Sequence, residues 1–164
     1  MNNPMYHRAS IREFLPDSVS EENIRELLKA GMNAPSAINQ QPWEFFVVTD
    51  IETKDKLAAI SMAATPAKRA PLVIVPCIRK DCKRIELAPL DLSAATENIL
   101  LQADVLGLGG VWLCVYPRKE KMSEVHSILG MDENLIPFAM IAIGHPVGAI
   151  PSHDRYDEGR IHRK

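Results

Sequence analysis

Three observations place this sequence in the α/β layered class. Apolar, β-branched runs short enough to be buried strands alternate along the chain with stretches of helical periodicity, the pattern that stacks helices on a sheet. The length, 164 residues, suits one domain. A hydrophobic fraction of 46% is enough for one sizeable core. A single domain over residues 1–164 is therefore expected, with no internal repeat, linker or low-complexity segment.

Residues 20–31 read as a helix. Ser20 is placed to cap it, Glu21 and Glu22 suit its positive end, and Ile24, Leu27, Leu28 and Met32 recur at helical spacing, with Gly31 as the stop. A polar, turn-rich stretch over 33–43 leads into a buried strand over 44–50, Glu44-Phe45-Phe46-Val47-Val48-Thr49-Asp50. Lys54–Met62 suits a short helix, and Ala63–Pro71, with two prolines, reads as a loop. Residues 72–78 form a second strand, in which Pro76 points to an edge or a bulge. After the polar run Arg79–Glu86, Asp91–Leu106 is the most helix-like segment of the chain. Leu92, Ala95, Ile99, Ala103 and Leu106 make one stripe, while Ala94, Leu100, Leu101 and Val105 fill much of the other side. A helix apolar on most faces needs two covering surfaces, and in so small a domain the second is expected to be another subunit. Gly107-Leu108-Gly109-Gly110 ends it. A third strand is expected over 111–116, a helix over Lys119–Leu129 with Gly130 just beyond its end, and a fourth strand over 138–144.

Composition narrows the function classes. A net charge of -2 with both signs interspersed gives no global field for nucleic acid or an anionic membrane, so anion binding must be local. No run approaches the roughly 20 apolar residues that span a bilayer, and the N-terminal residues lack the apolar run of a signal peptide. A soluble, cytoplasmic protein is expected. Three cysteines, Cys77, Cys82 and Cys114, fit reduced thiols rather than a disulfide framework, and their spacing matches neither a redox pair nor a metal site. The five histidines are scattered without a partnered acid or nucleophile, so no catalytic triad and no metal are expected.

The densest candidate chemistry is Arg8-Ala9-Ser10-Ile11-Arg12. In extended chain the side chains alternate faces, so Arg8, Ser10 and Arg12 point one way while Ala9 and Ile11 face the core. Two rigid guanidinium forks and a hydroxyl at this spacing make an anion cradle suited to phosphate. Pro35-Ser36-Ala37-Ile38-Asn39-Gln40-Gln41-Pro42-Trp43 sets amides and prolines just before a strand, and amides can bond the donor and acceptor edge of a ring. The glycines at 107, 109 and 110 follow a helix and precede a strand, the reverse of the order a dinucleotide fingerprint requires. They are expected to cap the helix and let backbone pass close to another group.

Four segments in this order resemble the nitroreductase family of flavin oxidoreductases: the pentad 8–12, the stretch 34–43, the stretch from Glu97 through Trp112, and Phe138–Pro146. The resemblance spans nearly the whole chain. It implies an α/β (α+β) layered sandwich with a central, mainly antiparallel sheet flanked by helices, and a homodimer with two FMN sites built at the interface from both subunits. On that pattern Arg8 and Ser10 grip the FMN phosphate, and Arg12 lies at the pyrimidine side of the ring. Asn39 and Gln41 bond the ring edge, and Pro35, Ser36 and Ala37 cover it from the partner subunit. The backbone at Gly109 and Gly110 approaches another edge, and Arg155 and Arg160 of the tail add phosphate contacts. The implied activity is transfer of reducing equivalents from NADH or NADPH to an electron-poor small molecule, a nitroaromatic or a quinone, by a ping-pong mechanism. Because the cofactor carries the chemistry, the same residues would equally serve an FMN storage or sensor module without turnover. The short span Arg79–Leu90 leaves no room for the helical excursions that cover the substrate side in larger members.

Overall fold

The computed structural model describes residues 3–150 and 154–164. In chain order the elements are α1 (Pro4–His7), α2 (Glu21–Met32), β1 (Trp43–Val48), α3 (Ile51–Ala59), α4 (Pro66–Arg69), β2 (Leu72–Arg79), α5 (Ala88–Val105), β3 (Gly109–Cys114), α6 (Lys119–Leu129), β4 (Leu135–Pro137) and β5 (Ala139–Gly144). The strands form one sheet in the order β1-β2-β5-β3, with β4 also paired to β2. All named strand pairs are antiparallel. This is the layered, mainly antiparallel architecture expected.

Strand alternation divides the core in two. Along β2, Leu72, Ile74 and Ile78 face α2 and α5, where they meet Leu27, Leu92 and Ile99. Val73, Val75 and Cys77 face the other way, toward Leu57 of α3, Ala67 of α4 and Val125 of α6. Both faces of β2 and β5 are buried, which is why these strands read as unbroken apolar runs.

Several boundaries differ from expectation for physical reasons. Gly31 does not stop α2 but lies inside it, buried. A Cβ there would stand 2.9 Å from Ile99 Cδ1 and 3.3 Å from the Phe45 ring. An interior glycine costs a helix about 1 kcal/mol, whereas complete burial of Ile99 or Leu27 is worth about 1.5–3 kcal/mol each, so close packing decides. The expected loop 63–71 contains α4, opened by Pro66 at its first turn. Buried Lys54 reaches across from α3 and donates its Nζ to Ala70 O at 2.9 Å, and burial lowers its pKa. Pro76 lies within a central strand, not at an edge. It sits where β2 exchanges one neighbour for another, pairing with β5 through Ile74 and with β4 from Cys77 onward. The missing N–H falls in that gap, and Pro76 O accepts Phe138 N at 2.9 Å. The expected fourth strand is β5, and a short strand that was not expected, β4, precedes it. Helix α5 starts three residues early, behind Pro89 in its first turn, and β3 starts at Gly109. Ser20 caps α2, Asp50 caps α3 and Gly130 closes α6.

Candidate functional site

The pentad leaves α1 and docks on two elements. His7 Nδ1 lies 2.8 Å from Asp104 Oδ1, and Arg8 Nε lies 3.0 Å from Glu97 Oε1, both carboxylates on α5. Ser10 then bridges Gly110 in parallel, and Ile11 N donates to Gly110 O at 3.0 Å. The expected alternation is realised: Ala9 is 6% exposed, while Ser10 and Arg12 are exposed. Ile11 packs so tightly over β3 that a Cβ on Gly109 would stand 2.7–2.9 Å from three of its side-chain atoms. Gly109 and Gly110 are thus strand residues whose missing side chains admit Ile11 and Leu100. Gly107 alone belongs to the turn that ends the helix.

Strand β3 is an edge of the sheet. Because Gly110 spends its carbonyl on the pentad, antiparallel alternation turns the backbone groups of Trp112 and Cys114 outward too, while Val111 and Leu113 face β5. Along this open edge lies a cavity of about 490 Å³ whose lining includes Arg12, Arg69, Arg118, Lys121 and the strand from Val111 to Cys114. A second cleft, of about 310 Å³, is lined by Arg8 and Arg155 with Tyr6 and Tyr156. Arg155 and its neighbour Asp154 thus share a cleft with Arg8. Arg160 does not line that cleft; its Nε is bound to Asp157 Oδ2 at 2.9 Å within its own turn. Arg8 gives one donor to Glu97, and its fork retains others.

The stretch 35–41 lies elsewhere on the chain, on the first turn of α5. Buried Asp91 accepts Ala37 N at 2.9 Å on one oxygen and Gln40 Nε2 at 2.7 Å on the other. Gln40 is held in turn by Arg84, whose N donates to Oε1 at 2.8 Å, and Ser36 Oγ accepts Gln41 N at 3.0 Å. So braced, the loop carries three non-glycine residues at positive φ: Ile38 at 50°, Asn39 at 54° and Gln41 at 46°. For branched Ile38 this is a strained conformation, of the kind that persists where surrounding contacts over-determine it. Pro35, Asn39 and Gln41 are exposed, and Ser36 and Ala37 are half-buried. Gln40 and Asp91 hold the loop and were not among the expected site residues. An acid near a helix start reads only as a dipole partner in sequence; its burial is set by a loop more than fifty positions away.

The two segments are anchored at different heights of α5. From Asp91 to Glu97 along α5 is about 9 Å, and to Asp104 about 20 Å, at 1.5 Å per residue. The outer face of α5 exposes Leu90 (67%) and Val105 (52%), with Ala94 and Leu101 half-buried between them. Leu100, expected on that outer face, is buried at 4% against the sheet.

Among the cysteines, burial together with nearby Glu44 pushes Cys77 up to about 12, and burial also raises Cys82, while Cys114 is exposed on the open edge of β3. Among the described residues no cluster of three or more His, Cys, Asp or Glu side chains could hold a metal ion. No described helix is long and apolar enough to cross a membrane.

Comparison with known proteins returns the same family as the sequence motifs. Residues 5–87 and 67–145 match the Nitroreductase family. A protein of Archaeoglobus fulgidus assigned as an NADH dehydrogenase/NAD(P)H nitroreductase is 40% identical over 98% of this chain and 95% of its own. Among solved structures, one assigned as an NADH oxidase from Clostridium acetobutylicum superposes with a TM-score of 0.94 at 42% identity, over 97% of each chain. Another, assigned as a nitroreductase and crystallised in complex with FMN, from Desulfovibrio desulfuricans, gives a TM-score of 0.84 at 30% identity over 98% of this chain and 94% of that one.

Proposed function

The chain belongs to the nitroreductase family, and from that premise we propose that it is an FMN-dependent oxidoreductase that takes reducing equivalents from NADH or NADPH and passes them to an electron-poor acceptor, a nitroaromatic or a quinone, with donor and acceptor binding in turn. The observation that carries this reading is the pentad: Ser10 bridged to β3, Arg12 at the cavity along that strand's open edge, and Arg8 in a cleft that Arg155 also lines. That donor set fits a phosphate at one end and an electron-rich ring at the other. Arg8, Ser10 and Arg155 hold the phosphate, and the four steps from Arg8 to Arg12 span about 13 Å of extended chain. Arg12 lies at the pyrimidine side, where a fixed cation favours the negative charge that builds on reduction. Bound FMN supplies the hydride chemistry itself. Gly109 and Gly110 contribute indirectly, by letting the pentad seat on β3.

Asn39 and Gln41, with Pro35, Ser36 and Ala37 as cover, reach the same ring only from a second subunit. Two copies packed through α5 about a two-fold axis, with helices antiparallel, would bring the Asp91 end of one beside the Asp104 end of the other. The exposed Leu90, Ala94, Leu101 and Val105 would line that contact. Purified protein should be dimeric at micromolar concentration and bind FMN in a 1:1 ratio to chains, read by visible absorbance. Anaerobic mixing with NADH or NADPH should bleach the bound flavin, and a nitroaromatic or quinone should restore its colour. Failure of both donors to bleach it would leave a flavin-binding module, and a monomeric mass with full FMN affinity would refute the two-chain site.

A further inference from the structure

The cavity beside Arg12 holds more positive charge than the reading above uses. Four cations line it, Arg12, Arg69, Arg118 and Lys121, against one acid, Glu13, which is paired with Arg69. Among the described residues Arg12 and Arg118 have no carboxylate partner. Lys121 gives one hydrogen bond to Ser61 Oγ at 2.9 Å and keeps two donors. This surplus is local, in a chain whose net charge is -2. It is also uphill: Arg118 immediately precedes α6 and Lys121 lies in its first turn, where the helix dipole disfavours cations. Like charges gathered at a local cost, round a cavity, are what a counter-charged ligand would offset. Apolar groups line the same cavity, among them Pro66 and Met62, the latter 95% exposed. An unbranched thioether left in solvent at a cavity mouth is an adaptable surface for a flat ring.

We propose that Arg118 and Lys121 form an anion subsite for the molecule that exchanges electrons at this site, which would therefore carry a phosphate, sulfonate or carboxylate on a flat, largely apolar body. The inference rests on the oxidoreductase reading, in which Arg12 serves the flavin and the cavity beyond it receives donor and acceptor in turn. An acidic group placed between Arg118 and Lys121 gains charge-assisted hydrogen bonds from a fork and an ammonium together. Its source is either the additional phosphate of NADPH or an acidic substituent on the acceptor.

Two kinetic ratios separate these sources in the FMN-loaded protein. One is kcat/KM for NADPH over NADH; the other is kcat/KM for 4-nitrobenzoate over its neutral methyl ester. In the Arg118→Gln/Lys121→Gln double variant one of the ratios should fall about tenfold, the first if the donor bears the acid and the second if the acceptor does. Arg118→Lys, which keeps the charge, should recover most of the loss. The readout independent of turnover is calorimetric titration of flavin-free protein with inorganic pyrophosphate at low ionic strength. The phosphate cradle at Arg8 is common to both proteins, so the double variant should bind one pyrophosphate fewer per chain. Unchanged pyrophosphate binding, or both ratios unmoved within twofold, overturns the proposal. Loss of FMN binding in the wild-type chain would instead sink the oxidoreductase reading, while the pyrophosphate titration still reports on Arg118 and Lys121.

Discussion

Asp91 is expected to govern the covering loop, and its removal should weaken FMN binding more than it weakens the fold. Its carboxylate, 5% exposed as a residue, accepts Ala37 N at 2.9 Å and Gln40 Nε2 at 2.7 Å. Hydrogen bonds to a charged group are worth about 1.5–3 kcal/mol each, so the pair contributes about 3–6 kcal/mol. Against this, Ile38, Asn39 and Gln41 sit at positive φ, at a cost of about 1–2 kcal/mol per residue, or about 3–6 kcal/mol together. The two sums are comparable, so the loop keeps its shape by a narrow margin that Asp91 largely sets. Asn is no conservative replacement. Gln40 cannot turn its amide over without losing the bonds that fix it to Arg84 N and Arg84 O. In Asp91→Asn one donor of the new amide must therefore face either Ala37 N–H or the Gln40 NH2 group. A shift of about 1.4 kcal/mol toward the relaxed loop divides the competent population by ten. Asp91→Asn and Asp91→Ala should accordingly raise the FMN Kd at least about tenfold, read by flavin fluorescence. Amide exchange at Ala37 should accelerate whether or not flavin is present, because its acceptor is gone. The melting temperature should fall by only a few degrees, since α5 keeps its buried stripe. Normal FMN affinity together with unchanged protection at Ala37 would refute the reasoning.

Three further outcomes follow from the packing and the titrations. Gly109→Ala drives a Cβ to within 2.7–2.9 Å of Ile11; over-packing of this kind costs about 1–3 kcal/mol. Thermal melting should show a drop of several degrees, which Ile11→Ala in the same chain should largely reverse. Thiol titration of native protein at pH 8 should label exposed Cys114 quickly, half-buried Cys82 slowly, and Cys77 only on unfolding, because burial pushes Cys77 up to about 12 and leaves no thiolate. Asp50 caps α3 by accepting Thr53 N at 2.8 Å, and that bond holds its pKa below the ordinary 3.8. A depressed carboxyl stabilises the fold above its unfolded pKa. Asp50→Ala should therefore lower the melting temperature at pH 7, and the charge-dependent part of the difference should vanish as pH falls below 3.8. A difference that stays constant down to pH 2 would exclude the charge as its source.

What the sequence revealed and what it hid divide along a physical line. Helix caps at Ser20 and Gly130, the strand runs and the alternation of the pentad are written in residues a few positions apart, and each was legible. Gly31 was misread because its reason lies in Ile99 and Phe45, which approach only after folding. Pro76 was half legible: it was read as an edge or a bulge, whereas the change of neighbour from β5 to β4 that accommodates it is a property of the sheet. Asp91 and Gln40 were not legible as site residues, since nothing nearby in sequence marks a buried carboxylate serving a loop far before it. The short helix α4 lay hidden behind prolines that read as breakers, although Pro66 occupies the one helical turn that tolerates it.

The same distinction bears on how the site is assembled. Asp91 near the start of α5 holds the 35–41 loop, Glu97 at its middle holds Arg8 of the pentad, and Asp104 near its end holds His7 just before it, so a single helix positions two candidate half-sites about 9–20 Å apart along its axis. Neither half encloses a ring alone. The outer face of that helix carries exposed Leu90 and Val105 with half-buried Ala94 and Leu101 between them, a stripe interrupted by Glu97. Antiparallel pairing through the stripe would cover it and join each pentad to the other chain's loop in one step. A charged substitution such as Leu101→Glu should then lower dimer mass and flavin affinity together, over the same range of protein concentration. A variant that became monomeric yet kept its FMN would require the loop to serve something other than the flavin, and the strain at Ile38 would need a different cause.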